Sequence, residues 1–176
     1  MARPAIPASE RRHVDTLVVR PLPILTTLLA AVISLQPIRI PGYDELTPAF
    51  TLMAVYHWTI YRPDLVPPLS LLMIGVAQDL VTGAPVGITA LVLLFARASV
   101  LHQRRYFVNR PFPFMWAGFA MLTGGAMLFV WLLHCVLDGA MLDSRVTAFR
   151  AVLTIFLFPL ASFLLGRTQR ALMGAG

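Results

Sequence analysis

Side chains able to do chemistry are few in this chain, and they are scattered. Four histidines stand at 13, 57, 102 and 134, and the sole cysteine, Cys135, follows the last of them. No group of them has the spacing of a tetrahedral metal site, and one cysteine can form neither a dithiol pair nor an intrachain disulfide. The motifs G-x-S-x-G, H-E-x-x-H, G-x-x-x-x-G-K-S/T and C-x-x-C are all missing, so serine-hydrolase, zinc-hydrolase, phosphate-loop and thiol-redox chemistry have no recognisable centre. The expectation is no enzyme, no metal and no cofactor. Cys135 lies inside an apolar run and reads as a small buried side chain.

The densest polar signal is Gly75-Val76-Ala77-Gln78-Asp79-Leu80-Val81-Thr82-Gly83-Ala84-Pro85-Val86-Gly87. Gly75, Asp79 and Gly83 recur every four residues and so share one helix face. Small residues there admit a second helix at close range. An ionised carboxylate at mid-helix costs about 2.5–3.5 kcal/mol when it faces lipid, so Asp79 should point into a bundle. Two readings stay open. Asp79 either makes a polar contact that fixes two spans or lines a pocket, or it caps the Gly83-Ala84-Pro85 turn and reaches headgroup water.

Other polar residues fall inside apolar blocks, and depth sorts them. Asp79, His134 and Arg150 lie near one level at the outer ends of their spans, with Gln36 close by. Arg97 lies roughly 20 Å deeper on the helical rise, which excludes a direct Asp79–Arg97 pair. It is matched in depth with His57, or its guanidinium snorkels to the inner interface, the favoured reading. Arg104, Arg105 and Arg110 form a short basic loop. They suit anionic lipid, at about 1 kcal/mol per charge near the surface, or a cytoplasmic partner. Tyr56, Trp58, Tyr61, Tyr106 and Trp116 fit an aromatic belt at the inner interface. Ala120 with Gly124 and Ser162 with Gly166 are weak small-residue packing pairs.

The elements that carry these residues follow from composition. Of 176 residues 58% are hydrophobic and only 12% charged, and mean hydropathy is +0.77. So little charge cannot cover a water-soluble domain of this size. Six apolar blocks stand out, at 22–38, 48–61, 65–81, 84–101, 113–137 and 148–166. A perpendicular span needs about 20 residues, within a range of about 17–25, and all but the second block meet it. The second borrows flanking residues or lies in a thin or protein-covered region. The expected fold is therefore an all-α polytopic membrane bundle of six transmembrane helices with short, Pro- and Gly-marked loops. Residues 1–21 read as a basic, disordered cytoplasmic tail, 22–170 as the membrane domain and 171–176 as a C-terminal tail.

All 14 basic residues are Arg and the net charge is +6, but the charge is dispersed and forms no nucleic-acid stripe. Its distribution orients the chain instead. With the N-terminus inside, Arg3, Arg11, Arg12, Arg20, Arg62, Arg104, Arg105, Arg110, Arg167 and Arg170 all fall on the cytoplasmic side. Only Arg39, Arg145 and Arg150 fall outside. Both termini should face the cytoplasm.

Tyr61-Arg62-Pro63-Asp64 and the run from Gly75 to Leu91, read as G-x-x-x-D-L-x-x-G-x-P-x-G-x-x-A-L, resemble the rod-shape-determining MreD family. The basic inner loop and the late Arg-Ala-Leu helix fit as well. The resemblance extends over nearly the whole chain from about residue 22. It implies a non-catalytic component of the bacterial inner membrane in the lateral wall-elongation machinery. Its implied partner is a periplasmic MreC-type scaffold, and through it an MreB-type filament and the elongation transpeptidase and glycosyltransferase. It also implies a bundle like the S-components of vitamin transporters. The family's polar-glycine motif falls on Asp79, Gly83, Pro85 and Gly87. A competing expectation is a small-molecule-binding transporter subunit, motivated by His57, Asp79, Arg97 and His134 within spans.

Overall fold

The computed structural model describes residues 22–36, 47–107, 111–138 and 144–173, with backbone alone for 105–107 and 169–173. The expected tail at 1–21 and Arg110 lie outside the described residues, as does the end of the chain after Met173. Among the described residues 89% are helical and none is in a strand. Six α-helices follow in order: α1 Leu22–Ser34, α2 Phe50–Tyr61, α3 Pro68–Thr82, α4 Ile88–Phe107, α5 Phe112–Asp138 and α6 Ser144–Met173, with a 3₁₀ turn at Pro63–Leu65.

Prolines and glycines set these boundaries. Pro68 occupies the first turn of α3, where its missing N–H costs nothing. Gly83 ends the helix in the left-handed conformation, at φ 70°. The block at 65–81 therefore supplies a helix of only 15 residues, because Leu65 ends the 3₁₀ turn and Val66 and Pro67 are cap residues. The block at 22–38 likewise gives 13 helical residues. Both are shorter than the full spans expected of them, and α2 has 12. At 1.5 Å per residue these three helices measure about 18–22 Å, against a hydrocarbon core of about 30 Å. The last two helices, of 27 and 30 residues, extend beyond the apolar blocks at 113–137 and 148–166. Within α5 and α6, Phe112–Val136 and Ser144–Thr168 are long and apolar enough to cross a membrane. Only 22% and 17% of their apolar windows are buried, so neither is the core helix of a water-soluble fold.

The short second helix is the centre of the molecule. Every residue from Thr51 to Ile60 is buried, and α2 packs against α1, α4 and α6. Of the paths open to the 48–61 block, this is the protein-covered one. Tyr56 and Trp58 are 1% exposed and form no interfacial belt. The Tyr56 hydroxyl donates to the Met115 carbonyl at 2.9 Å, and the Trp58 indole donates to Thr26 Oγ1 at 2.8 Å. Around Tyr56 the rings of Phe119 and Phe158 stack on each other with centroids 4.1 Å apart, joining α2, α5 and α6. Tyr61 and Trp116 are exposed and keep the belt reading. Cys135 is half-buried rather than buried.

The helices alternate in direction. Ser34, Thr51, Gln78, Thr89, His134 and Arg150, each from a different helix, line one cavity and mark one end of the bundle. Tyr61, Phe112 and Gly166 meet around another hollow at the opposite end. The outside is apolar, with Leu25, Leu29, Leu69, Met73, Met121 and Phe156 all more than half exposed. The buried set includes Thr27, Thr51, His57, Thr59, Gln78, Asp79 and Thr154. Polar side chains kept within the core beneath an apolar surface are the distribution a lipid solvent selects.

The α3–α4 pair is the most closely packed. A Cβ added to Gly75 would sit 2.3 Å from Ala90 Cα and 2.5 Å from its nitrogen. The partner that approaches the Gly75 face is thus this chain's own α4. Because the obstacle is backbone, Gly75→Ala should lower stability by about 1–3 kcal/mol, and Gly75→Val by more. Gly124→Ala, where the space is open, should change little. Thermal unfolding of the detergent-solubilised variants tests this. A Gly75→Ala protein as stable as the parent would contradict the close approach.

Candidate functional site

Asp79 is 0% exposed and serves two helices at once. Its main-chain carbonyl accepts the N–H groups of Gly83 and Ala84 (3.1 Å from the latter) and closes α3. Its carboxylate accepts the N–H of Gly87 at 2.7 Å and that of Thr89 at 3.2 Å to either oxygen. Those two amides open α4. The first N–H groups of a helix have no partner within it, and the helix dipole favours an anion there by about 0.3–1 kcal/mol, more when partly buried. Gly83 and Gly87, at φ 70° and 104°, shape a turn tight enough to bring those amides back over α3. Pro85 takes part as well, its carbonyl accepting the Ile88 N–H at 3.4 Å. The carboxylate thus both caps the turn and ties α3 to the start of α4, and Asp79 does not line the cavity.

Two arginines do the complementary work at the opposite end. Arg97 Nε donates to the Val66 carbonyl at 2.8 Å, and Arg104 Nε donates to the Ile60 carbonyl at 2.9 Å. Seven residues apart, they lie on one face of α4. Val66 lies between the 3₁₀ turn and α3, whose Ser70 and Leu71 N–H groups go to the Pro67 carbonyl, and Ile60 sits in the last turn of α2, where carbonyls lack helical partners. Arg97 therefore neither pairs with His57 nor simply snorkels. Arg104 is turned onto the helix it packs against, which corrects its placement as a purely lipid- or partner-facing charge. The side chain of Arg105 is among those not described. His57 has Ser162 Oγ 3.4 Å from its Nδ1 and packs against the Trp58 and Tyr61 rings.

The same rule explains α6. Pro159 lies inside that helix and cannot donate to the Ile155 carbonyl four residues back. The Trp116 indole fills the gap at 3.0 Å.

The level of Asp79 does gather His134 and Arg150. Both line a cavity of about 300 Å³ with Ser34, Thr51, Gln78 and Thr89; Gln36 does not line it. The small-residue pairs behave differently from Gly75: a Cβ at Gly124, Gly125 or Gly166 would meet nothing within 4 Å. Those residues face open space rather than another helix of this chain. Among the described residues no cluster could hold a metal ion.

Sequence reasoning found the charged residues but missed their targets, which are main-chain groups.

Replacement of the carboxylate tests the double cap. Asp79→Leu leaves two half-buried N–H groups without acceptors, at up to about 1–3 kcal/mol each. Asp79→Asn keeps one carbonyl oxygen and should lose less than half as much stability. Thermal unfolding should rank parent, Asn and Leu in that order; equal stability of all three would remove the cap from the account.

A family model described as rod shape-determining protein MreD matches residues 15–170. No curated protein matches the chain, and no solved structure does.

Proposed function

Since this chain belongs to the MreD family of rod shape-determining proteins, we propose that it is a non-catalytic scaffold of the bacterial inner membrane, holding the lateral wall-elongation complex together beside an MreC-type protein. The family is a shape-determining structural membrane family, not an enzyme family. An MreB-type filament and the elongation transpeptidase and glycosyltransferase follow as indirect partners. The transporter-subunit alternative draws no support from the family match, and no solved structure supports the S-component likeness.

The observation that carries the scaffold reading is where the charges go. Asp79, Arg97 and Arg104 all bond to this chain's own backbone, so they assemble the bundle rather than act on a substrate. The surface left over is apolar and partly small. Gly124 and Gly125 are exposed on α5 beside Met121 and Leu128, with room for a neighbouring helix to come close. That face suits a single transmembrane helix of an MreC-type partner. The membrane reading has six crossings with both termini cytoplasmic, supported by the Arg distribution and by the alternating helix directions. Arg105 and Arg110, with what remains free of the Arg104 guanidinium, would then meet anionic lipid or a cytoplasmic partner.

Affinity purification of the tagged chain from native membranes should recover an MreC-type scaffold. Gly124→Leu with Gly125→Leu should cut that recovery several-fold while the protein stays folded. Failure to recover any wall-elongation protein with the parent chain would contradict the reading.

A further inference from the structure

The cavity between all six helices has a use that the caps and the scaffold surface leave unexplained. It measures about 300 Å³, the lower end of small-molecule pockets and room for several waters or one small organic molecule. Apolar side chains such as Leu52, Ile88, Val92 and Met127 make up much of its wall, and the polar groups set among them are incompletely satisfied. Gln78 is 9% exposed; its Nε2 donates to the Ala31 carbonyl at 3.4 Å, while its buried Oε1 has no partner. Arg150 Nε is buried and has no partner either. No acidic side chain lines the cavity among the described residues. The nearest candidate, Asp79, has its carboxylate held by the Gly87 and Thr89 amides. A buried guanidinium nitrogen with no acceptor is costly, so among the described residues this wall calls for an anion.

The remaining groups define the rest of the occupant. His134 Nδ1 stands 2.9 Å from the Val130 carbonyl. A carbonyl only accepts, so Nδ1 donates to it and Nε2 is the ring nitrogen able to accept. Thr82, also on the wall, gives its hydroxyl proton to the Gln78 carbonyl at 2.9 Å and keeps only lone pairs to offer. Arg150 thus presents a cationic donor, while Gln78, Thr82 and His134 present acceptors. We infer that the cavity binds a small organic acid that also carries hydrogen-bond donors, an amino- or hydroxy-carboxylate, with its carboxylate on Arg150 and its ammonium or hydroxyl toward Gln78. This concerns occupancy, not transport, and stands apart from the scaffold reading: binding can fail while partner recovery holds, and the reverse.

The test uses the full chain in nanodiscs, with L-serine and L-malate as probes and sodium chloride at matched ionic strength as the control. At least one probe should raise the thermal unfolding midpoint saturably, beyond the effect of chloride. Arg150→Gln should raise the half-saturating concentration by roughly tenfold or more, whereas Arg145→Gln, on the exposed side of α6, should leave it unchanged. Gln78→Glu supplies an internal carboxylate for Arg150 and should abolish the response in a folded protein, which decides the matter if Arg150→Gln does not fold. Neither probe exceeding chloride, or both cavity variants responding like the parent, would overturn the inference.

Discussion

Hydrocarbon offers no hydrogen bonds, so every helix end that stops short of the membrane surface must find its partners inside the protein. Three of the six helices here are too short to reach from one surface to the other. Their ends would leave carbonyl and N–H groups stranded, each costing several kcal/mol if unpaired. The chain meets this constraint with a few polar side chains taken from neighbouring helices. Asp79 closes α3 and opens α4, Arg97 and Arg104 reach back to Val66 and Ile60, and Trp116 covers the carbonyl freed by Pro159. In this chain the charges that would mark a substrate path in a transporter are mortar between helices.

Helix α4 is central to that scheme. It is held at its start by a carboxylate from α3 and in its second half by its own two arginines. Along its length Gly75 lets it lie almost against the backbone of α3. A bundle fixed in this way presents a constant outer surface, which is what a shape-determining component needs if its task is to hold other proteins in register. The six-helix cavity is the exception: there the polar groups are not used up.

Much of this organisation could be read in the residues. Each of the six apolar blocks overlaps one helix, the G-x-x-x-D-L-x-x-G-x-P-x-G run lies at the α3–α4 turn, and depth arithmetic puts His134 and Arg150 at one level. What escaped has two physical causes. Depth arithmetic pairs side chains with side chains, whereas Asp79, Arg97 and Arg104 bind main-chain groups that have no residue-type signature. Hydropathy, for its part, says which segments avoid water but not which is surrounded by the others. Helix α2, with Thr51, Tyr56, His57, Trp58 and Thr59 in 12 residues, looked like the weakest span because it faces protein on every side and needs no lipid-facing stripe.

The account depends on α3, at 15 residues, crossing the membrane because its ends are tied to its neighbours. Labelling with a membrane-impermeant thiol reagent tests that directly in a Cys135→Ser background, with one cysteine placed at Asp64 and, in a second protein, one at Val86. Both positions are exposed. The account predicts that the cysteine at 86 is labelled in intact spheroplasts and the one at 64 only after lysis. Labelling of both from the same side would contradict it.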